Sequence, residues 1–194
     1  MLLPLNCTAS YHPGFLSPSE AKALYRYILE DCNINAHRID TPGQTSSKSA
    51  FGKLMFIDEE LRPQFPEFAY GKNFSWPSQL LALKQRVEAH TGRYFATCVC
   101  IWYPDGNIGV DYHSDKPAFG DTTILPSISL GAERNFQLRE KATGEVLELL
   151  LGEGSMVIMG EHCQEHYEHC LPEDPACTKG RINLTFRQVG YPER

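Results

Sequence analysis

A chain of 194 residues is long enough for one domain with a sizeable core, and 42% hydrophobic with 22% charged residues is ordinary globular composition. No low-complexity run or internal repeat is visible, which excludes fibrous and disordered classes. The formal net charge of −6 argues mildly against strong nonspecific adhesion to nucleic acid, though a local basic face remains compatible with it.

Met1-Leu2-Leu3-Pro4-Leu5 is too short for a signal segment and lacks a basic start. No apolar stretch approaches the roughly 20 residues of a membrane span. Seven cysteines without a C-x-x-C pair read as reduced thiols of an intracellular protein.

In chain order, the first predicted element is a helix beginning near Ser17. Ser17-Pro18-Ser19-Glu20 supplies an N-cap serine, a proline at the first helical position and a glutamate that completes a capping box. Leu24, Ile28 and Leu29 follow at helical spacing. Residues 40–50 read as a polar loop. A second helix is predicted over Ser78 to His90, with Leu80, Leu83 and Val87 on one side and Gly92 past its end.

After Gly92 short β-rich runs take over: Tyr94–Trp102, Ile124–Leu130, Asn135–Arg139, Val146–Leu151, Ser155–Met159 and Arg181–Gln188. Turn residues such as Pro104-Asp105-Gly106-Asn107 separate them. The pattern predicts an α+β fold, a jelly roll (double-stranded β-helix) with N-terminal helices packed on one face. The expected organisation is a single domain, with a helical and lid region over about 1–92 and the jelly-roll core over about 93–190.

His113-Ser114-Asp115 puts an imidazole and a carboxylate two residues apart, so on a strand end both point the same way. Two histidines and one carboxylate on one face of a metal, with open positions opposite, is the ligand set of iron(II) oxygenases. H-x-D alone is nonspecific. The third ligand has three candidates in one segment, His162, His166 and His169, and spacing leaves the choice open.

Arg181-Ile182-Asn183-Leu184-Thr185-Phe186-Arg187 alternates with period two, so Arg181, Asn183, Thr185 and Arg187 share one strand face. That face is either solvent-exposed or buried; a buried guanidinium needs an anion, and a dicarboxylate supplies one through paired hydrogen bonds. Arg181 and Arg187 stand about 20 Å apart on an extended strand, so either their side chains converge or one alone anchors the ligand.

Taken together, His113-x-Asp115, Ser127-Ile128-Ser129-Leu130-Gly131, His169-Cys170-Leu171-Pro172 and R-x-N-x-T-F-R at 181–187 resemble the AlkB family of 2-oxoglutarate and iron(II) dioxygenases, over about residues 45–190. The resemblance implies iron(II) held by His113, Asp115 and His169, with His162 and His166 left as non-ligands. It implies 2-oxoglutarate held by Arg181 and Tyr103, with Asn183 and Arg187 around it, and dioxygen as the oxidant. The implied reaction is oxidative dealkylation of N-alkylated bases such as 1-methyladenine or 3-methylcytosine in DNA or RNA, releasing succinate, CO2 and formaldehyde, by a monomer that binds alkylated nucleic acid.

Two positions depart from the family pattern. Ile101 replaces an asparagine two residues before the tyrosine, and Pro117 stands where nucleic-acid members often carry an acidic residue that reads the base. Tyr70, in an expected exposed hairpin beside Gly71, and Phe51 are the candidate base-stacking residues, with Phe68 and Trp76 as further aromatics. For each, packing is the plain alternative. Competing functional readings are the same chemistry on a protein side chain or small molecule, and a non-catalytic binding module.

Overall fold

The computed structural model describes residues 1–39, 51–117 and 119–190; the predicted loop over 40–50 lies outside them. Strand β1 (Ala9–His12) leads into helix α1 (Pro18–Arg26). The capping box forms as read from the sequence: the Ser17 hydroxyl accepts from the Glu20 amide at 3.3 Å, and the Glu20 carboxylate accepts from the Ser17 amide at 2.8 Å. Leu24 and Ile28 are buried and Leu29 is half-buried, so the apolar stripe is the packing face.

Next come β2 (Arg38–Ile39), β3 (Phe51–Ile57), the one-turn α2 (Glu67–Tyr70), β4 (Lys72–Phe74) and α3 (Ser78–Thr91). α3 ends at Gly92 in the left-handed region (φ 67°), where glycine carries no Cβ penalty. The second half contains β5 (Thr97–Tyr103), β6 (Val110–His113), β7 (Leu125–Gly131), β8 (Arg134–Glu140), β9 (Val146–Leu151) and β10 (Met156–Met159). It closes with the one-turn α4 (Cys163–His166), β11 (Tyr167–Leu171) and β12 (Arg181–Arg187).

Among the described residues these strands form two sheets. The large one runs β1-β10-β7-β12-β5-β3-β2, with β4 added parallel to β3; the small one runs β6-β11-β8-β9. This is the predicted jelly roll. One face of the large sheet carries Cys98, Cys100, Ile128, Ile182, Leu184 and Phe186 against Leu24, Ile28, Leu80, Leu83 and Val87 of the helical layer. Each such side chain contributes about 1.5–3 kcal/mol on burial. At one end of the other face, Leu125, Val157 and Met159 meet Phe136, Leu138 and Leu151 of the small sheet. The alternation of β12 therefore has two buried destinations, with Ile182, Leu184 and Phe186 under the helices and the polar set turned between the sheets.

The region over about 1–92 holds the two predicted helices, but also β1 to β4, which join the large sheet. The reason β3 escapes a periodicity reading is that Leu54 and Phe56 pack into the helical side while Met55 and Ile57 pack on the other. A run buried on both faces loses its period-two signal. β6 and β11 likewise lie outside the predicted β-rich runs; both are short and carry polar residues.

Candidate metal centre

The open end of the sandwich forms a cleft of about 520 Å³ lined by His113, Asp115, His169, Tyr103, Arg181, Asn183, Thr185 and Arg187, with Phe51, Lys53, Ile101 and Phe119 among its other walls. β11 pairs antiparallel with β6 so that His169 and His113 are Cα partners. Their rings then lie side by side, centroids 4.4 Å apart. Asp115, just past the end of β6, completes the group, and one ligand atom from each residue lies within 4.8 Å of the others.

Each donor is prepared for a cation. His113 Nδ1 lies 2.8 Å from the Asp111 carbonyl, an acceptor only, so Nδ1 carries the proton and Nε2 keeps its lone pair. His169 is buried, and burial draws its pKa down to about 4 against the pull of Asp115, so the ring is neutral near pH 7. Burial alone would push the Asp115 carboxyl up; Arg187, His169 and His113 together hold it below the usual range. Arg187 Nη2 pairs closely with Asp115 Oδ1, while Oδ2 faces His169 Nε2 at 3.6 Å. Gln164 Oε1 accepts from the Asp115 amide at 2.7 Å and steadies the turn.

The other two histidine candidates gather elsewhere. His162 and His166 stack at 5.4 Å beside Glu165 at the surface, with His162 Nδ1 3.1 Å from the carboxylate. Neither lines the cleft.

Arg181 sits opposite Tyr103 in the β12–β5 ladder and is 3% exposed. Its Nη2 donates to Ser129 Oγ (3.0 Å) and Asn183 Oδ1 (3.1 Å), while Nε is buried with no partner. Burial brings this guanidinium down to about 10, and among the described residues no carboxylate forms an ion pair with it. A buried positive charge without an anion is costly, and a carboxylate bound in the cleft would relieve that cost. Tyr103 is buried, and burial pushes its phenol up, so it stays protonated as a donor. Asn183 is held by Ser127 and Thr185 at 2.8 Å each. Of the two arginines, Arg187 is thus committed to Asp115, which leaves Arg181 as the one without an anion.

Phe51 lines the cleft, its ring 6.4 Å from Tyr103. The expected exposed hairpin at Tyr70 is corrected: Tyr70 ends α2, half-buried, edge-on to Phe65 at 5.0 Å and 5.9 Å from Phe119. Trp76 stacks on Phe186 and donates to Asp58 at 2.8 Å, a packing role. Phe68 is 94% exposed and lies outside the cleft lining. Ile101 does face the cleft, as Cα partner of both Asn183 and Lys53. The sequence reading missed Lys53 and Phe119. Lys53 lies on the strand that lost its alternation, and Phe119 follows the ligand motif in a loop with no periodic signal.

The profile of the 2OG-Fe(II) oxygenase superfamily matches residues 8–187. The bovine alpha-ketoglutarate-dependent dioxygenase alkB homolog 3 is 30% identical over 93% of this chain and 65% of its own length. Its human counterpart is 29% identical over 94% of this chain and 66% of its own. The mouse DNA oxidative demethylase ALKBH2 is 32% identical over 59% of this chain and 52% of its length. The chain thus spans just under two thirds of the alkB homolog 3 relatives. Among solved structures, OsALKBH1 superposes with a TM-score of 0.67 at 15% identity, covering 96% of this chain and 100% of that one, a likeness of fold. The match that runs from residue 8 to residue 187 spans the strands that carry His113, His169 and Arg181, and the chain belongs to the 2OG-Fe(II) oxygenase superfamily.

Proposed function

We propose that the protein is an iron(II)- and 2-oxoglutarate-dependent dioxygenase that removes alkyl groups from nucleobase nitrogens in DNA or RNA. The observation that carries this reading is the buried, anion-free Arg181 in the same cleft as a two-histidine, one-carboxylate cluster. His113, Asp115 and His169 would hold iron(II), with Arg187 fixing one oxygen of Asp115 and leaving the other to the metal. Arg181 and Tyr103 would hold the far carboxylate of 2-oxoglutarate, with Asn183 bridging to Ser127 and Thr185.

Bound iron(II), with 2-oxoglutarate and dioxygen, supplies the oxidising power to hydroxylate a C–H bond beside a base nitrogen. That chemistry would place one oxygen atom on the substrate carbon and the other in succinate, with CO2 released. The N–CH2–OH group then expels formaldehyde and leaves N–H. What this chain contributes is placement. Asp115 stays ionised and His169 neutral, Arg181 would fix the cosubstrate's direction, and Phe51 and Phe119 offer faces for an extruded base.

The nucleobase class is supported by the similarity to ALKBH2, a DNA oxidative demethylase. The second reading, the same chemistry on a protein side chain or small molecule, draws on the net charge of −6. Among the described residues all seven cysteines are free, which supports a reducing intracellular setting, and no helix is long and apolar enough to cross a membrane. We read the working unit as a monomer.

The test is incubation with iron(II), 2-oxoglutarate and oligonucleotides bearing single methylated bases, measuring succinate, formaldehyde and restored base. Restored base supports the reading. Succinate without restored base on any oligonucleotide moves the substrate to the second class, and no succinate under any condition overturns the enzyme reading.

A further inference from the structure

Lys53 stands across from Ile101 in the β3–β5 ladder and faces the cleft together with Phe51. It is half-buried, and among the described residues no hydrogen bond or ion pair holds its ammonium. Burial and then repulsion from Arg187 both push its pKa down, and no anion pushes it back.

Among the described residues, the charges that line the cleft are Lys53, Arg181, Arg187 and the single carboxylate Asp115. Asp115 is already shared between Arg187 and the metal cluster. When iron(II) and 2-oxoglutarate are in place, the negatives of Asp115 and the dicarboxylate fall short of the positives of the metal, the two arginines and the lysine. A substrate in the cleft therefore meets surplus positive charge and, among the described residues, no free carboxylate.

Alkylated bases divide sharply by charge. 1-Methyladenine and 3-methylcytosine are cations near neutral pH with an exocyclic amine beside the methylated nitrogen, whereas 3-methylthymine, 3-methyluracil and 1-methylguanine are neutral and carry a carbonyl oxygen at that position. A lysine ammonium has donors only. It can bond to a carbonyl oxygen, but it gains nothing from an exocyclic amine and repels a cationic ring.

Resting on the nucleobase reading above, we infer that Lys53 is a specificity-determining residue, selecting neutral, carbonyl-bearing N-alkylated bases over cationic ones.

The experiment compares wild type, Lys53→Met and Lys53→Glu on otherwise identical oligonucleotides carrying 3-methylthymine or 3-methylcytosine. kcat/KM and oxygen-free binding by fluorescence anisotropy are both read, with melting temperature as the folding control. Wild type should favour 3-methylthymine. The ratio should move toward 3-methylcytosine by about tenfold or more in Lys53→Glu, with Lys53→Met between, because a buried like-charge contact becomes an attraction. A wild-type preference for 3-methylcytosine, or a ratio unchanged across the folded variants, overturns the inference alone. If wild type restores no base on any oligonucleotide, the nucleobase reading fails and this inference fails with it. Should Lys53→Glu not fold, the shift in Lys53→Met decides.

Discussion

His113 and His169 are direct partners across the β6–β11 ladder, their ring centroids 4.4 Å apart, although 55 residues of chain separate them. Strand pairing, not local spacing, brings the two imidazoles to one point. His169→Ala should therefore lower iron(II) affinity by at least about tenfold, as losing one ligand of three does, with little change in far-ultraviolet circular dichroism. His162→Ala, at the surface cluster, should leave that affinity alone. A metal titration of both variants checks the assignment, and equal losses in the two would contradict it.

Asp115→Ala should abolish turnover, because it removes a metal donor and strands the Arg187 guanidinium, both side chains being nearly buried at 11% and 13% exposed. Breaking such a pair costs about 3–5 kcal/mol. Turnover and denaturant midpoint should fall together; a variant that still restores alkylated bases would mean the ligand set is wrong.

Arg181→Met separates function from stability. Among the described residues no carboxylate pairs with its guanidinium. Replacing it with an apolar side chain of similar length should leave stability unchanged or raise it by about 1 kcal/mol. Affinity for 2-oxoglutarate should fall by roughly 10- to 100-fold, the worth of charge-assisted hydrogen bonds. Calorimetric titration with 2-oxoglutarate and thermal melting of the same sample read both effects, and a stability loss with unchanged affinity would reverse the assignment.

The metal-free protein should weaken in mild acid. His169 is held at about 4 when folded, against 6.5 when exposed. A depressed folded value means the unfolded chain takes up the proton first. Stability is therefore full above about pH 6.5 and drains as pH falls toward 4, by up to about 3 kcal/mol. Asp115, also depressed, extends the loss to lower pH. Urea midpoints between pH 7.5 and 4.5 check this, and His169→Gln should flatten the upper part of the curve.

Asp58 accepts from Lys84 Nζ and Trp76 Nε1 at 2.8 Å each and from the Tyr94 hydroxyl. Lys84 and Asp58 are 6% and 9% exposed. Asp58→Ala should cost about 3–5 kcal/mol by leaving the buried ammonium with only the longer contact to Glu88 at 3.8 Å. The double variant Asp58→Ala/Lys84→Met should recover part of that loss, measured by chemical denaturation.

The sequence by itself determined what local periodicity and capping chemistry encode. The Ser17 capping box, the α3 stripe ended at Gly92 and the alternation of Arg181 through Arg187 are short-range patterns, and each formed within a residue or two of its expected bounds. The family resemblance named His169, where spacing alone left three histidines open.

Only the tertiary structure decided what depends on register and on burial from two sides. The β6–β11 pairing joined His113 to His169 and left His162 and His166 at the surface. Strand β3, buried on both faces, carried no period-two signal, so Lys53 was not legible as a cleft residue. Arg181 and Arg187 share one strand face, yet one is committed to Asp115 and the other has no anion. A charge finds its partner through space rather than along the chain, so the chain alone cannot say which charge is left over.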